Sequence, residues 1–215
     1  MIQNATGLIL RTLPLTETSL IVRWLTPEFG RISTVARGAR RPQSAFHGKL
    51  DLFYEADFSF SRSRHTDLHT LREAGLRATH MALREDLLKL SRAAYAAAFI
   101  EQATETETPL PGVFELLRGF LDALCRQKPA AQLVFAFELK LLRELGLDPG
   151  PRKTDLTAGS RQIAGVFVSC GWEECLRLKL TRAQTGELRQ FLHGFLIFHL
   201  GRLPKGRAAA LADEV

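Results

Sequence analysis

The clearest pattern in the first eighty residues is alternation. From Asp51 to Phe60, the apolar Leu52, Tyr54, Ala56, Phe58 and Phe60 take every second position, and Asp51, Glu55, Asp57 and Ser59 fall on the other face. A period of two over this length predicts a half-buried strand. Leu8–Arg11, Ser19–Leu25, Arg31–Arg37 and Asp67–Glu73 supply four further short strands. Turn formers separate them at Pro14, at Thr26-Pro27-Glu28-Phe29-Gly30 and from Gly38 to Gly48. Five short strands spaced in this way fit a small closed barrel, either an OB-fold or an SH3-like barrel.

From Met81 the period lengthens. Leu83, Leu87, Leu88, Leu90, Tyr95 and Phe99 lie among alanines and predict a helix. A second follows Pro109 and Pro111 through Val113, Leu116, Leu117, Phe120, Leu121 and Leu124. Leu133, Phe137, Leu141 and Leu145 mark a third, ended by Gly146 and Pro149. A last helix runs from Arg182 to Leu200, with Leu188, Phe191, Leu192, Phe195 and His199 on one stripe. Between these, residues 148–178 carry Pro149-Gly150-Pro151, Gly159, Gly165 and Gly171 and predict a long irregular connection. The expected class is mixed α+β: a five-stranded barrel over residues 1–80, then an all-helical domain over 81–215.

Composition works mainly by exclusion. With 46% hydrophobic and 24% charged residues, the chain has the make-up of a globular protein. No segment approaches the ~18 apolar residues of a membrane span, and Met1–Gly7 lacks the pattern of a signal peptide. A cytoplasmic, nucleoid-associated location is expected. Cys125, Cys170 and Cys175 are odd in number and give no disulfide framework. Phosphate-loop, dinucleotide-loop, His-Glu-x-x-His and Gly-x-Ser-x-Gly motifs are all absent, so no covalent catalysis and no cofactor are expected.

Charge adds direction. Residues 1–80 hold eleven Lys/Arg against seven Asp/Glu, residues 81–149 eight against ten, and residues 150–215 ten against six. The positive excess therefore lies at the two ends and points to a polyanion partner. Its densest part is Arg31–Lys49, which contains Arg31, Arg37, Arg40, Arg41 and Lys49 and no acid. Planar guanidinium groups suit phosphate because each can donate to two oxygens. Phe46 and His47 stand among these cations, either to stack on unpaired bases or to tuck onto the barrel. Arg62 and Arg64, in Ser61-Arg62-Ser63-Arg64-His65, extend the candidate DNA-binding set. A charge run is also what a merely solvated face looks like, and the barrel beneath it is what favours nucleic acid.

The order of residues then becomes specific. Leu10-Arg11-Thr12-Leu13-Pro14-Leu15-Thr16-Glu17-Thr18-Ser19-Leu20-Ile21-Val22, Thr26-Pro27-Glu28-Phe29-Gly30-Arg31-Ile32 and Val35-Ala36-Arg37-Gly38-Ala39-Arg40-Arg41-Pro42 resemble the bacterial RecO family of recombination mediators. Phe137-Glu138-Leu139-Lys140-Leu141-Leu142 with Leu145-Gly146-Leu147, and Phe198-His199-Leu200-Gly201-Arg202, resemble that family's central and C-terminal helices. The resemblance implies an OB-fold followed by a helical domain. It also implies binding of single- and double-stranded DNA, annealing of complementary strands, and action with RecR. Contact with the C-terminal tail of single-stranded DNA-binding protein, and indirect help to RecA, are implied in the same way.

Two departures qualify this. Many members carry a zinc site of two Cys-x-x-Cys pairs. Here Arg152-Lys153-Thr154-Asp155-Leu156-Thr157 stands in place of the first pair, and the second is stretched to Cys170-Gly171-Trp172-Glu173-Glu174-Cys175. A degenerate zinc-ribbon-like connection without metal is expected. His193 and His199, six apart on a helix, do not face one another as ligands would. The family also often has a basic pair before the central helix, where this chain has Phe135-Ala136, leaving Lys140 and Arg143 as substitutes. Two rivals complete the reading. One is an adaptor whose helical domain binds acidic peptides. The other is a metal-dependent nuclease using Asp51, Glu55 and Asp57 on one strand face.

Overall fold

The computed structural model describes residues 1–128, 130–147 and 156–212. The chain forms two compact units, one of Met1–Met81 with Thr104–Arg118, the other of Ala82–Ala103 with Gly119 onward. No helix among the described residues is long and apolar enough to cross a membrane.

The first unit is a closed barrel of β1 (Ile2–Pro14), β2 (Leu20–Thr26), β3 (Gly30–Ala36), β4 (Glu55–Ser61) and β5 (Leu68–Ala78). Its strand order is β1-β2-β3-β5-β4, with β3 and β5 parallel and the remaining pairs antiparallel. That topology is the OB-fold, which removes the SH3-like alternative. Strand β1 is far longer than its apolar stretch Leu8–Arg11 predicts. Its first half pairs with β4 and its second with β2, and a register shift between Ile9 and Arg11 lets it turn the corner.

Period two is visible inside the barrel. Ile32, Thr34 and Ala36 of β3 are buried while Arg31, Ser33 and Val35 are not. Buried Thr34 is satisfied, because its Oγ1 accepts a 2.9 Å hydrogen bond from Trp24 Nε1. Trp24 stacks on Phe58 with ring centroids 4.0 Å apart. The pattern fails at Asp51–Tyr54, which form a turn before β4 begins at Glu55. Phe53 sits there at φ 65°. Its amide donates to Ile9 O at 2.8 Å, and Ile9 N donates to Tyr54 O at 2.9 Å. In consequence Asp51 and Asp57 are exposed but Glu55 is buried. The three carboxylates share no face, and the nuclease reading loses its site.

Thr104–Arg118 joins the barrel through backbone bonds. Glu107 N donates to Arg31 O at 2.9 Å, and Arg31 bridges to Thr106. Gly30 is required at this contact: its φ is +62°, and a Cβ would lie 1.9 Å from Thr108 O.

The helices are α1 (Leu87–Ala103), α2 (Pro111–Arg126), α3 (Ala131–Glu144), α4 (Ala158–Ser169), α5 (Trp172–Arg177), α6 (Arg182–Leu200) and α7 (Arg207–Ala210), preceded by a 3₁₀ turn at Met81–Glu85. Every residue from Leu133 to Leu139 is buried, so α3 is surrounded rather than amphipathic. Helices α4, α5 and α6 pack on it. One of those buried residues is Glu138. It accepts from Arg207 Nε and Nη2 at 2.7 and 3.0 Å, and from the Tyr95 hydroxyl. Burial first, then the Glu138 charge, hold the Tyr95 proton well above the usual tyrosine range. For Arg207, burial works against the charge and the hydrogen bond and charge of Glu138 outweigh it, raising its pKa. The end of α3 follows the glycine rule: Gly146 has φ 71°, and Leu147 N returns to Leu142 O at 2.8 Å.

Two expectations for this unit are corrected. The predicted irregular connection over 148–178 contains helices α4 and α5 in its described part. Leu156, Ser160 and Phe167 are buried at helical spacing, and Thr157 caps α4, its side chain accepting from Ser160 N. Packing on α3 outweighs the ~1 kcal/mol that each interior glycine costs. Pro149-Gly150-Pro151 and Arg152–Asp155 lie outside the described residues. In α6 the bounds are as expected, but the buried stripe is Leu188, Leu192 and Leu196. Phe191 and Phe195 are only half-buried, and His199 is exposed.

Candidate nucleic-acid interface

Strand β3 ends at Ala36 and delivers the chain into a run of tight turns. Gly38 takes φ 68°. Arg41 N then donates to Gly38 O, Ser44 N to Arg41 O, His47 N to Ser44 O and Lys49 N to Phe46 O, each at 3.0 Å. These closures leave Arg37, Arg40, Arg41 and His47 exposed. Arg40 is held at both ends: its N donates to Thr18 O at 3.0 Å, and Nη1 of its exposed guanidinium to Thr16 O at 3.2 Å. The loop therefore presents cations on a fixed backbone, as phosphate contacts require.

Phe46 is half-buried and packs against the barrel core, which favours anchoring over base stacking. With Lys49 it forms one wall of a groove of about 790 Å³, opposite Asn4, Thr6, Arg72 and Arg77. Asp57 pairs with Thr6 of β1 and Gly75 of β5 across the groove floor. Arg77 Nε donates to Asp57 Oδ2 at 2.7 Å, and Thr6 Oγ1 to Asp57 Oδ1 at 2.7 Å. The Arg77 hydrogen bond, then that of Thr6, hold the Asp57 carboxyl below its ordinary range. Arg72 Nε donates to Ser61 Oγ at 2.8 Å. Arg72 and Arg77 were not among the sequence candidates; their signal is two cations on the solvent side of an OB-fold strand. Glu28 and Glu73 also line the groove, so its charge is mixed and the purely cationic surface is the loop.

The remaining candidates separate. Arg31 points its guanidinium at Thr104, with Nε to Oγ1 at 2.7 Å and Nη2 to O at 2.5 Å. Arg62 forms an ion pair with Glu107, which also meets His69 Nε2 at 3.1 Å. His69 is buried and stacks on Phe60. These contacts fasten Thr104–Glu107 to the barrel: Arg31 is half-buried there, whereas the Arg62 side chain stays 48% exposed. Arg64 and His65 lie in an exposed turn.

The implied zinc site was tested on Cys170 and Cys175, whose Sγ atoms are 3.0 Å apart. Among the described residues no group of three or more His, Cys, Asp or Glu is placed to hold a metal ion. Burial, then the neighbouring Cys170 thiol, push the Cys175 thiol up to about 12, whereas a zinc ligand must be a thiolate. Lys140 Nζ, 2.6 Å from Cys170 O, adds a repelling charge. The residues do not fit a structural zinc ion. Lys140 and Arg143 are likewise occupied: both donate to Val168 O at the end of α4, at 3.2 and 3.5 Å. Lys140 is half-buried there, whereas Arg143 remains exposed. Phe135 and Ala136 are fully buried.

Fold and loop together define an OB-fold protein with a cationic loop and a helical second unit. Residues 1–80 match the family described as Recombination protein O N terminal, and residues 84–153 that described as Recombination protein O C terminal. The chain is 30% identical to the DNA repair protein RecO of Bacillus pumilus, covering 94% of this chain and 81% of that one. It is 31% identical to the protein of that name from Anaeromyxobacter sp. (strain K), covering 98% and 95%. With the Exiguobacterium sibiricum protein, also named DNA repair protein RecO, identity is 32% over 69% of this chain and only 59% of the relative. The chain belongs to the recombination protein O family.

Proposed function

We propose that this protein is a DNA-repair mediator that binds single- and double-stranded DNA through its barrel and anneals complementary strands. The observation that carries the proposal is the acid-free loop, with Arg37, Arg40 and Arg41 exposed on a hydrogen-bonded backbone beside the groove of Lys49, Arg72 and Arg77. Neutralising phosphates lowers repulsion between strands, and holding both on one surface raises their effective concentration. Family membership supports the further roles: action with RecR, contact with the tail of single-stranded DNA-binding protein, and help to RecA. In this reading the protein performs no covalent chemistry and works in the cytoplasm, on the nucleoid.

The test is Arg40→Ala with Arg41→Ala. Removing two phosphate contacts should weaken binding of a single-stranded oligonucleotide at least ~10-fold at low salt. The slope of log affinity on log salt should fall in magnitude by about 1.4. Unchanged affinity and slope would overturn the site.

A further inference from the structure

We infer that the outer face of α6 is a second nucleic-acid contact, where Phe195, Phe198 and His199 offer a stacking surface to unpaired bases while Arg202 and Lys205 take their phosphates. The proposal rests on the reading of this protein as a nucleic-acid binder for the kind of polymer, and on separate observations for the place.

Helix α6 needs one apolar stripe to hold its position, and Leu188, Leu192 and Leu196 supply it against α3 and α4. A second apolar stripe is then left over. Phe198 is 83% exposed, and Phe191 and Phe195 on the same side of the helix are half-buried. Large exposed aromatics are uncommon on a free surface. The rings form a run: Phe191 to Phe195 at 5.8 Å, Phe195 to His199 at 4.3 Å, and His199 to Phe198 at 4.9 Å between centroids. A narrow run of rings suits successive flat bases better than a broad apolar partner.

Charge selects the occupant. From Leu188 to Ala212 there is no Asp or Glu, against Arg189, Arg202, Lys205 and Arg207 with His193 and His199. Arg207 is buried on Glu138, and Arg189 donates to Leu211 O at 2.9 Å. Arg202 and Lys205 are exposed on the turn that leaves the helix. The acid on α6, Glu187, accepts from Thr157 N and Oγ1 at 3.2 and 2.8 Å. An anionic ligand with flat apolar faces is complementary to this surface, and unpaired nucleic acid has both properties. Two contacts on one molecule also match the annealing reading, since each can take a separate strand.

The experiment uses the full chain and two complementary 30-nucleotide DNA strands, one labelled. F198A/R202A/K205A changes only exposed side chains. It is expected to bind a labelled 8-nucleotide strand within about 3-fold of the unmodified protein, because the barrel is intact, and to anneal the complementary strands about 10-fold more slowly. The single variant F198W, with Arg202 and Lys205 kept, should anneal as fast as the unmodified protein, and the 8-nucleotide strand should quench its fluorescence beyond any quenching of the unmodified protein's own tryptophans. Unchanged annealing in the triple variant, or no quenching, overturns the proposal. So does quenching by anionic phospholipid vesicles or by an acidic peptide in the absence of quenching by DNA, or a change of oligomeric state in the triple variant. If R40A/R41A binds DNA normally while the triple variant loses binding, the barrel assignment fails and the α6 contact stands.

Discussion

The two ends of the chain carry the same excess of positive charge and use it differently. In the barrel, Arg37, Arg40 and Arg41 stand exposed on a loop. In the helical unit, Arg207 is buried on Glu138 and Tyr95, Arg189 donates to Leu211 O, and Arg161 donates to Leu156 O. The difference teaches that a charge tally finds a polyanion surface only after the cations engaged inside the fold have been subtracted. The barrel too has engaged cations: Arg31 is half-buried on Thr104, while Arg62 and Arg77 make exposed ion pairs with Glu107 and Asp57. Among the cations left exposed are those of the loop in one unit and Arg202 and Lys205, on the turn after α6, in the other.

The largest expected effect falls on the buried pair. Glu138→Ala leaves Arg207 buried without its carboxylate and should lower stability by about 3–5 kcal/mol in urea denaturation. A loss below ~1 kcal/mol would mean that the helical unit's arginines are no more structural than those of the loop, and the comparison would break. Its mirror is R40A/R41A, which should leave stability within ~0.5 kcal/mol while weakening DNA binding. A destabilised double variant would show that the loop cations also hold the fold.

A pH titration sharpens the same contrast. Tyr95 is held protonated in the folded state, whereas in the unfolded chain it ionises near the ordinary value of about 10. Its contribution is therefore intact below pH ~10 and lost as pH rises beyond that toward its raised folded value. Tyr95→Phe should flatten the fall in stability above pH 10. An unchanged alkaline slope would place the ionisation elsewhere. The smallest effect concerns the thiols. With Cys175 pushed up to about 12 by burial and its neighbour, iodoacetamide at pH 8 should leave it unmodified in the native protein and label it once denatured. Rapid native labelling, or near-stoichiometric zinc by metal analysis, would reopen the site at Cys170 and Cys175.

Much of the barrel was legible because period two and burial are the same fact seen twice. Ile32, Thr34 and Ala36 point inward as their spacing says. The misreadings share one cause, a local pattern broken by a distant partner. Phe53 leaves the alternation because Ile9 takes its amide, and Glu55 is buried with it. Glycines at 159 and 165 disguised α4, which α3 holds in place. On α6 the apolar positions were all visible, but not that they divide into a buried leucine stripe and an exposed aromatic one.

By itself, the sequence determined the class of fold, several of the turns between elements, the acid-free loop and the family. Those properties rest on local spacing and residue order, which a chain carries before it folds. Tertiary structure alone decided which partner each of these cations meets, because each guanidinium finds its carboxylate or carbonyl across tens of residues: Arg31 on Thr104, Arg62 on Glu107, Arg207 on Glu138. It also set the chemistry of the thiols, since burial and the neighbouring Cys170 push the Cys175 thiol up, which spacing along the chain does not show.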